Sequence, residues 1–431
     1  MSALTEDRQA CVSDPALKPI RAKVLAGTRL NVADGVALYQ TRDIHGVGRL
    51  ANFVRTRLHG DRVFFNRNRH INYTNVCALS CKFCSFYRKR GEDGAYEMPV
   101  EQVVAAAGKA ADAGATEVHI VGGLHPWLKF DYYLDLLRGI RRERPELHVK
   151  AFTAIEIVHF SRIARLSVRE VLLALKAAGL GSLPGGGAEI FDDRVHDAAF
   201  KGKVRADKWF EVHRTAHSIG LYSNATMLYG HVETVEERIG HLVKLRELQD
   251  ESLHRHEGTK PGRHAANRAV SLGVSAPDAS VPAHFNCIIP LSFIPEHSEL
   301  GHLPGPTGLT DLRTLAVARL MLDNFAHVKA FWIMQSVHLS QLALDWGCDD
   351  LDGTVVWYDI TKREGGWGST HQELHVTDIK RLIREAGKTP VERDTLYREV
   401  TRDPATDRVV SAGALASTGG LIRPALSRKR R

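Results

Sequence analysis

Apolar positions along this chain follow two alternating rhythms. Short β-rich runs recur from residue 70 onward: HINYTNV (70–76), EVHIVG (117–122), LHVKAF (147–152), GSLP (181–184), YSNATMLY (222–229), FNCIIPLS (285–292), VKAFWIM (328–334) and DGTVVW (352–357). Between them lie stretches with the helical period, at 99–114, 131–143, 167–179, 206–219, 233–250, 309–325 and 337–345. In 233–250, Val235, Ile239, Leu242, Val243 and Leu245 gather near one face and leave Glu and Arg on the other. Upstream, helix-like stretches at 20–27 and 46–58 flank NVADG, which reads as a turn. Alternating β and α elements imply parallel strands joined by right-handed crossovers. The eight strand candidates predict an α/β fold, a (β/α)8 TIM-type barrel with N- and C-terminal helical extensions. The fourth strand is the weakest, because Gly and Pro disfavour a strand.

Three segments break the rhythm. Residues 251–282 lack apolar periodicity and are rich in Gly, Pro, Ser, His and Arg. They lie between a helix and the next strand, on the barrel face opposite an active site, and read as a disordered surface insertion. Residues 1–20 read as a disordered N-terminus and 399–431 as a disordered basic tail. The expected organisation is one barrel domain with end-pieces over 21–398, and no internal repeat is visible.

Composition narrows the class. A chain of 431 residues with 44% hydrophobic and 25% charged positions can bury a large core, which excludes collagen-like or wholly disordered folds. No run approaches about 18 apolar residues, so no spanning helix is expected. The N-terminus lacks a basic-then-apolar secretory pattern, and six cysteines in so long a chain suit a reducing, cytoplasmic setting. The formal charge of +8 resides mostly at one end: residues 401–431 carry seven Lys/Arg against two acids. A nucleic-acid-binding protein with a structural metal is therefore the competing class. Against it, the charge is not spread over the folded part and no recognition module appears, so no nucleic-acid partner is expected.

Chemistry concentrates in NVCALSCKFCSFYR, which follows the first strand candidate. Cys77, Cys81 and Cys84 are spaced C-x3-C-x2-C. Three thiolates on one loop can hold three irons of a cubane cluster and leave the fourth open. Zinc is the alternative, but a structural zinc site wants a fourth ligand, and His70 lies on the wrong side of the strand start. Cys11, Cys287 and Cys348 are scattered and read as small apolar residues.

This spacing resembles that of the radical S-adenosylmethionine (SAM) superfamily. GGLHPWLKFDYYLDLLRGIR, HVKAFTAIEI, LPGGGAEIF, HRTAHSIGLYSNATMLYGHVET and PLSFIPEHSEL resemble its menaquinone-pathway branch, the aminodeoxyfutalosine synthases, over about residues 20–395. The dehypoxanthine futalosine cyclases of the same pathway share GGLHP and GGGAEI. HIVGG, KAFTAIEI and ATMLYGHVET favour the synthases. The resemblance implies a barrel of the radical SAM kind with a 4Fe–4S cluster at its mouth and SAM as co-substrate. It also implies a low-potential electron donor such as flavodoxin or ferredoxin. The implied reaction adds the 5′-deoxyadenosyl group of SAM to 3-[(1-carboxyvinyl)oxy]benzoate. Rearrangement and loss of carboxylate then give 6-amino-6-deoxyfutalosine. A cyclase would instead use the radical to abstract hydrogen. Phe83 stands where the family often has an aromatic beside the adenine, and Gly122 and Gly123 where it contacts the methionyl amine.

Further candidates come from strand ends, where barrels place their catalytic groups. His231 and Glu233, after the fifth strand, and Asn224, on it, are the catalytic candidates. Alternation puts Asn224 and Thr226 on one face of that strand and Tyr229 on the other. Glu156 and Glu189, in AIEI and GAEI, are candidate partners for ribose hydroxyls or the SAM amine, and a helix cap is the alternative. Gly186 and Gly187, beside Gly185, are candidate donors or packing surface for the nucleoside. The substrate implied carries two carboxylates, so Lys150, Arg205 and Arg194 are candidate cations, with His125 and Tyr229 as further contacts. His338 and Gln341, one helical turn apart, read as core packing.

Overall fold

The computed structural model describes residues 10–254, 283–355 and 373–413. Seven parallel strands form one curved sheet in sequential order: β2 (Asn68–Ile71), β3 (Glu117–Ile120), β4 (His148–Ala151), β5 (Ser182–Leu183), β6 (Tyr222–Tyr229), β7 (Phe285–Ser292) and β8 (His327–Val328). The preceding strand β1 (Arg62–Asn66) is the forward extension of β2 and pairs in parallel with β9 (Asp350–Gly353) and β10 (Thr389–Glu392). β9 completes the ring. It bridges to β8 at Lys329–Asp350, and just beyond it Val355 O accepts from His70 N at 3.0 Å. The predicted barrel therefore forms, with β1 and β2 as one strand serving two neighbours.

All eight residues of β6 are buried, as a strand covered on both faces requires. Most helices between strands bury one stripe, while Gly308–Met321 is buried on nearly all sides. In Val235–His254 the stripe is Ile239, Leu242, Leu245 and Leu248, close to the one read from sequence. Among the described residues, no helix is long and apolar enough to cross a membrane.

Several expectations need correction. NVADG is not a turn but the start of helix Val32–Gln40: Asn31 accepts from Asp34 N while Asp34 accepts from Asn31 N, a reciprocal cap. Helices Ala154–Ala164 and Asp193–Ala199 were not expected, whereas Val376–Glu385 supplies the expected C-terminal helical extension. The first is apolar on most sides and follows a strand directly, so its period is masked. Run 70–76 is strand only to Ile71, and 328–334 only to Val328, with Trp332–Gln335 helical. Run 352–357 shifts to Asp350–Gly353, and its last two residues lie outside the described ones.

The ends are also more ordered than composition implies. Ala10 and Leu17 are fully buried, within the stretch read as disordered. Residues 400–412 of the expected loose tail form a hairpin of β11 (Val400–Arg402) and β12 (Val409–Ala412). Arg402 bonds Glu392 at 2.6 Å and Asp407 pairs with Arg67, so two of the tail's charges are used in packing. Residues 255–282 of the insertion and 414–431 of the tail lie outside the described residues. The barrel base, at the starts of the strands, is closed by the C-terminal segment of the chain. Thr395 Oγ1 donates to Glu117 Oε2 at 2.7 Å, Arg393 pairs with Asp350 at 2.7 Å, and the Tyr397 ring stacks on His327 with centroids 3.6 Å apart.

Candidate active site

The cysteine loop leaves β2 at the C-terminal mouth of the barrel. Polar residues just after the strand fix its path: Asn72 Nδ2 donates to Val121 O (3.0 Å), Thr74 Oγ1 to Tyr96 O (2.6 Å) and Asn75 Nδ2 to Gly94 O (2.8 Å). Lys89 Nζ ties the loop back on itself through the carbonyls of Cys77 and Leu79. Cys77, Cys81 and Cys84 all line one pocket, together with Phe83, Gly122, Gly123, Glu189 and Lys203. Cys77 Sγ accepts the backbone N–H groups of Leu79 and Leu124, each at 3.4 Å, the donors a thiolate ligand requires. Burial pushes the Cys81 thiol up to about 12, so a metal must displace its proton. Three sulfurs on one small loop with backbone donors, where among the described residues the one carboxylate of the pocket, Glu189, is already paired with Lys203, fit an iron–sulfur cluster with one open iron better than closed zinc. His70 lines the barrel lumen instead. Cys287 and Cys348 are buried elsewhere and Cys11 is exposed.

The glycine pair has a concrete role in this packing. A Cβ on Gly123 would stand 2.3 Å from Val76 O, and one on Gly122 would stand 2.7 Å from the Tyr73 ring. The second strand's end thus packs directly beneath the cysteine loop. Glu156 secures it. Its Oε1 accepts from Tyr73 Oη (2.8 Å) and Gly122 N (3.1 Å), and its Oε2 from Thr153 N and Oγ1 (2.7 and 2.8 Å). Both oxygens are engaged and the residue is 1% exposed, so the expected contact with ribose or the SAM amine is corrected: Glu156 is a cap that positions Gly122.

Glu189 differs. It holds φ at +40°, a backbone state that a residue with a Cβ rarely adopts. One carboxylate oxygen pairs with Lys203, and Oε2 is buried without a partner among the described residues. Burial pulls the Lys203 ammonium down, but Glu189 and nearby Cys81 outweigh it and hold its pKa up. Lys203 also sits 5.1 Å over the Phe83 ring.

The cysteine pocket adjoins the barrel lumen. The two share Phe83, Cys84, Val121, Thr153, Gly187 and Glu189. Gly185, Gly186, Asn224 and Thr226 line the lumen; alternation put the last two on this face. Thr226 Oγ1 donates to Gly185 O at 2.7 Å. Tyr229 lies on the opposite face, bonded to Asp311 and Ser292, so it does not meet the substrate space. Lys150 lines the lumen and pairs with Glu117 at 2.6 Å.

Other candidates fall outside both pockets. Glu233 caps the turn after β6, accepting from Gly230 N, His231 N and Arg238, while His231 Nε2 bonds Leu228 O. They stabilise the strand end and do not line the site. His125 Nδ1 accepts from Trp127 N and Leu128 N, and its Nε2 meets Glu97 at 2.7 Å. Arg205 pairs with Asp193 and Asp197 on the surface, and Arg194 with Glu237. Gln341 is half-buried and its Nε2 donates to Leu382 O, whereas His338 is exposed, so the expected core packing does not hold for it.

Sequence reading missed Lys203, His119, Lys329, Phe331 and Asp352, all in the pocket walls. His119 and Lys329 had a signal: each is a polar residue inside an apolar run that becomes a buried strand or its end. Lys203 had none, because it stands in a short irregular loop with no periodic pattern to mark it.

Residues 71–245 match the model of the radical SAM superfamily. The chain is 46% identical over 393 residues to an aminodeoxyfutalosine synthase of Thermus thermophilus, covering 90% of this chain and 97% of that one. It is 42% identical over 403 residues to the aminodeoxyfutalosine synthase of Streptomyces coelicolor, covering 90% and 95%. A cyclic dehypoxanthine futalosine synthase of the latter organism is more distant, at 31%. In fold, the chain is similar to a solved methylornithine synthase, with a TM-score of 0.63 over 86% of this chain and 96% of that one at 17% identity.

Proposed function

We propose the chemistry that follows from one premise: the chain belongs to the aminodeoxyfutalosine synthase family of the radical SAM superfamily. It is a radical SAM enzyme that joins the 5′-deoxyadenosyl group of SAM to 3-[(1-carboxyvinyl)oxy]benzoate, releasing methionine and the enol-ether carboxylate, and gives 6-amino-6-deoxyfutalosine. The observation that carries this reading is the continuity of the three-cysteine pocket with a large, mainly apolar lumen.

Cys77, Cys81 and Cys84 hold the 4Fe–4S cluster. When bound, the cluster supplies one electron that cleaves SAM. The chain's own task is then placement. Phe83 offers a face to the adenine, and Gly122 and Gly123 offer backbone at the methionyl end. Glu189, with an unpartnered oxygen at the junction of the two pockets, accepts from a ribose hydroxyl or the amine. Gly186 and Gly187 form the wall beneath the nucleoside, and Asn224 faces the substrate space. Val121, Leu228, Ile289, Leu291, Phe293 and Met334 line the lumen and exclude water from a reactive carbon centre. The electron comes from a low-potential donor such as flavodoxin or ferredoxin, in a reducing cytoplasm.

The test is anaerobic reconstitution with iron and sulfide, followed by SAM, reductant and the carboxyvinyloxy-benzoate. Mass analysis should find the adenosyl adduct with little free 5′-deoxyadenosine. Release of 5′-deoxyadenosine with each turnover would indicate the cyclase chemistry. One zinc and no sulfide in the purified protein would sink both.

A further inference from the structure

The floor of the lumen holds charge that the proposed chemistry leaves unused. Lys150 is on β4 and Lys329 directly follows β8; they are 3% and 2% exposed, and both line the cavity. Each ammonium has one acceptor among the described residues: Glu117 Oε1 for Lys150 and Asp352 Oδ1 for Lys329, both at 2.6 Å. An ammonium carries three donors. Two on each remain for something that occupies the cavity, and buried donors without acceptors are costly.

The two pairs act on one small volume. Burial pushes the Glu117 carboxyl up, but Lys150, Lys329 and Arg393 together outweigh it and hold it well below the usual range. Asp352 is likewise raised by burial and held down by Lys329, His70 and Lys150. Strand register sets His70 beside His119 and His119 beside Lys150, so these groups form one layer. Burial drives His70 down to about 4 and His119 well below its usual value, so both imidazoles are neutral at pH 7. The layer therefore presents two ammonium groups and neutral rings to the cavity, while the nearby buried Arg393 is paired with Asp350 and does not line it.

A carboxylate, with two acceptor oxygens, is the group that matches two ammonium groups lining one cavity. Under the function proposed above, on which this step rests, the reacting enol ether must lie toward the cysteine pocket. The ring carboxylate of the substrate then points away from it. We propose that Lys150 and Lys329 form a receptor that anchors the benzoate carboxylate at the lumen floor and so aims the enol ether at the cysteine pocket.

The variants remove charges in pairs, so that no lone carboxylate is left buried: Lys329→Met with Asp352→Asn, and Lys150→Met with Glu117→Gln. Folding is checked by Tm. Two substrates are compared, the carboxyvinyloxy-benzoate and the 1-carboxyvinyl phenyl ether that lacks the ring carboxylate. Wild type should show a KM at least tenfold lower for the benzoate. Each paired variant should raise that KM about ten- to hundredfold, the worth of one or two charge-assisted hydrogen bonds, with little change for the phenyl ether and none in SAM affinity. Lys329→Arg, which keeps a cation, should retain most of the discrimination. Paired variants that discriminate as wild type does would overturn the receptor. Calorimetric binding of 3-hydroxybenzoate to the full chain separates this idea from the proposed reaction. If it binds wild type and weakens at least tenfold in both variants, the receptor stands even where no adduct forms. Equal binding to all three refutes it whatever the turnover.

Discussion

Glu156 allows a prediction whose sign and size both follow from the structure. It is a carboxyl 1% exposed at the start of helix Ala154–Ala164, and burial raises its pKa from 4.5 to about 7 against the hydrogen bonds of Thr153, Tyr73 and Gly122. Between those two pH values the folded protein keeps the proton and the unfolded chain has lost it. Stability from this group is thus fully present below pH 4.5 and falls as pH rises toward 7. A difference of 2.5 pH units corresponds to about 3 kcal/mol. Glu156→Gln removes the titration. The amide can accept at one oxygen only, so one backbone donor, Gly122 N or Thr153 N, loses its acceptor at a cost of about 1–3 kcal/mol. The variant should be clearly less stable than wild type at pH 5. The gap should close or reverse by pH 8, because only wild type carries the cost of a buried ionised carboxylate. Urea unfolding of both proteins, anaerobically at half-unit steps from pH 4.5 to 8.5, gives the difference curve, in which other titrations cancel. A difference that stays flat across the range would refute the reasoning, and one that grows with pH would mean that the hydrogen bonds outweigh burial.

Three further outcomes follow from the same geometry. Cys81→Ala should lose bound iron, sulfide and the cluster's visible absorbance, with no product formed; retention of all of these would overturn the ligand assignment. Gly123→Ala should lower Tm and reduce cluster loading, since its Cβ would meet Val76 O at 2.3 Å, whereas Gly240→Ala, in a helix with open space around it, should raise stability by up to about 1 kcal/mol. Tyr229→Phe should cost about 1–2 kcal/mol in urea unfolding through the lost bonds to Asp311 and Ser292, with KM for the benzoate unchanged; a raised KM would place Tyr229 at the substrate after all.

The sequence alone determined what depends on local pattern. Strand and helix periods put most elements of the barrel within a few residues, because burial on a parallel sheet and on a helix face leaves a periodic trace. The cysteine spacing marked the reactive loop because its three ligands are local in the chain. Alternation on β6 separates Asn224 and Thr226 from Tyr229 because the pleat sends successive side chains to opposite faces. What tertiary structure decided was which polar groups are already spent. Glu156, Glu233, His125 and Arg205 look in sequence like Glu189 and Lys150, yet their hydrogen bonds close on neighbouring backbone or surface partners. Glu189 keeps a buried oxygen free, and Lys150, though paired with Glu117, lines the lumen. Lys329 and Asp352 meet Lys150 only because the ring closes through residues nearly 200 positions away. A side chain's availability is set by the partners that long-range packing brings to it, and no local pattern records those partners.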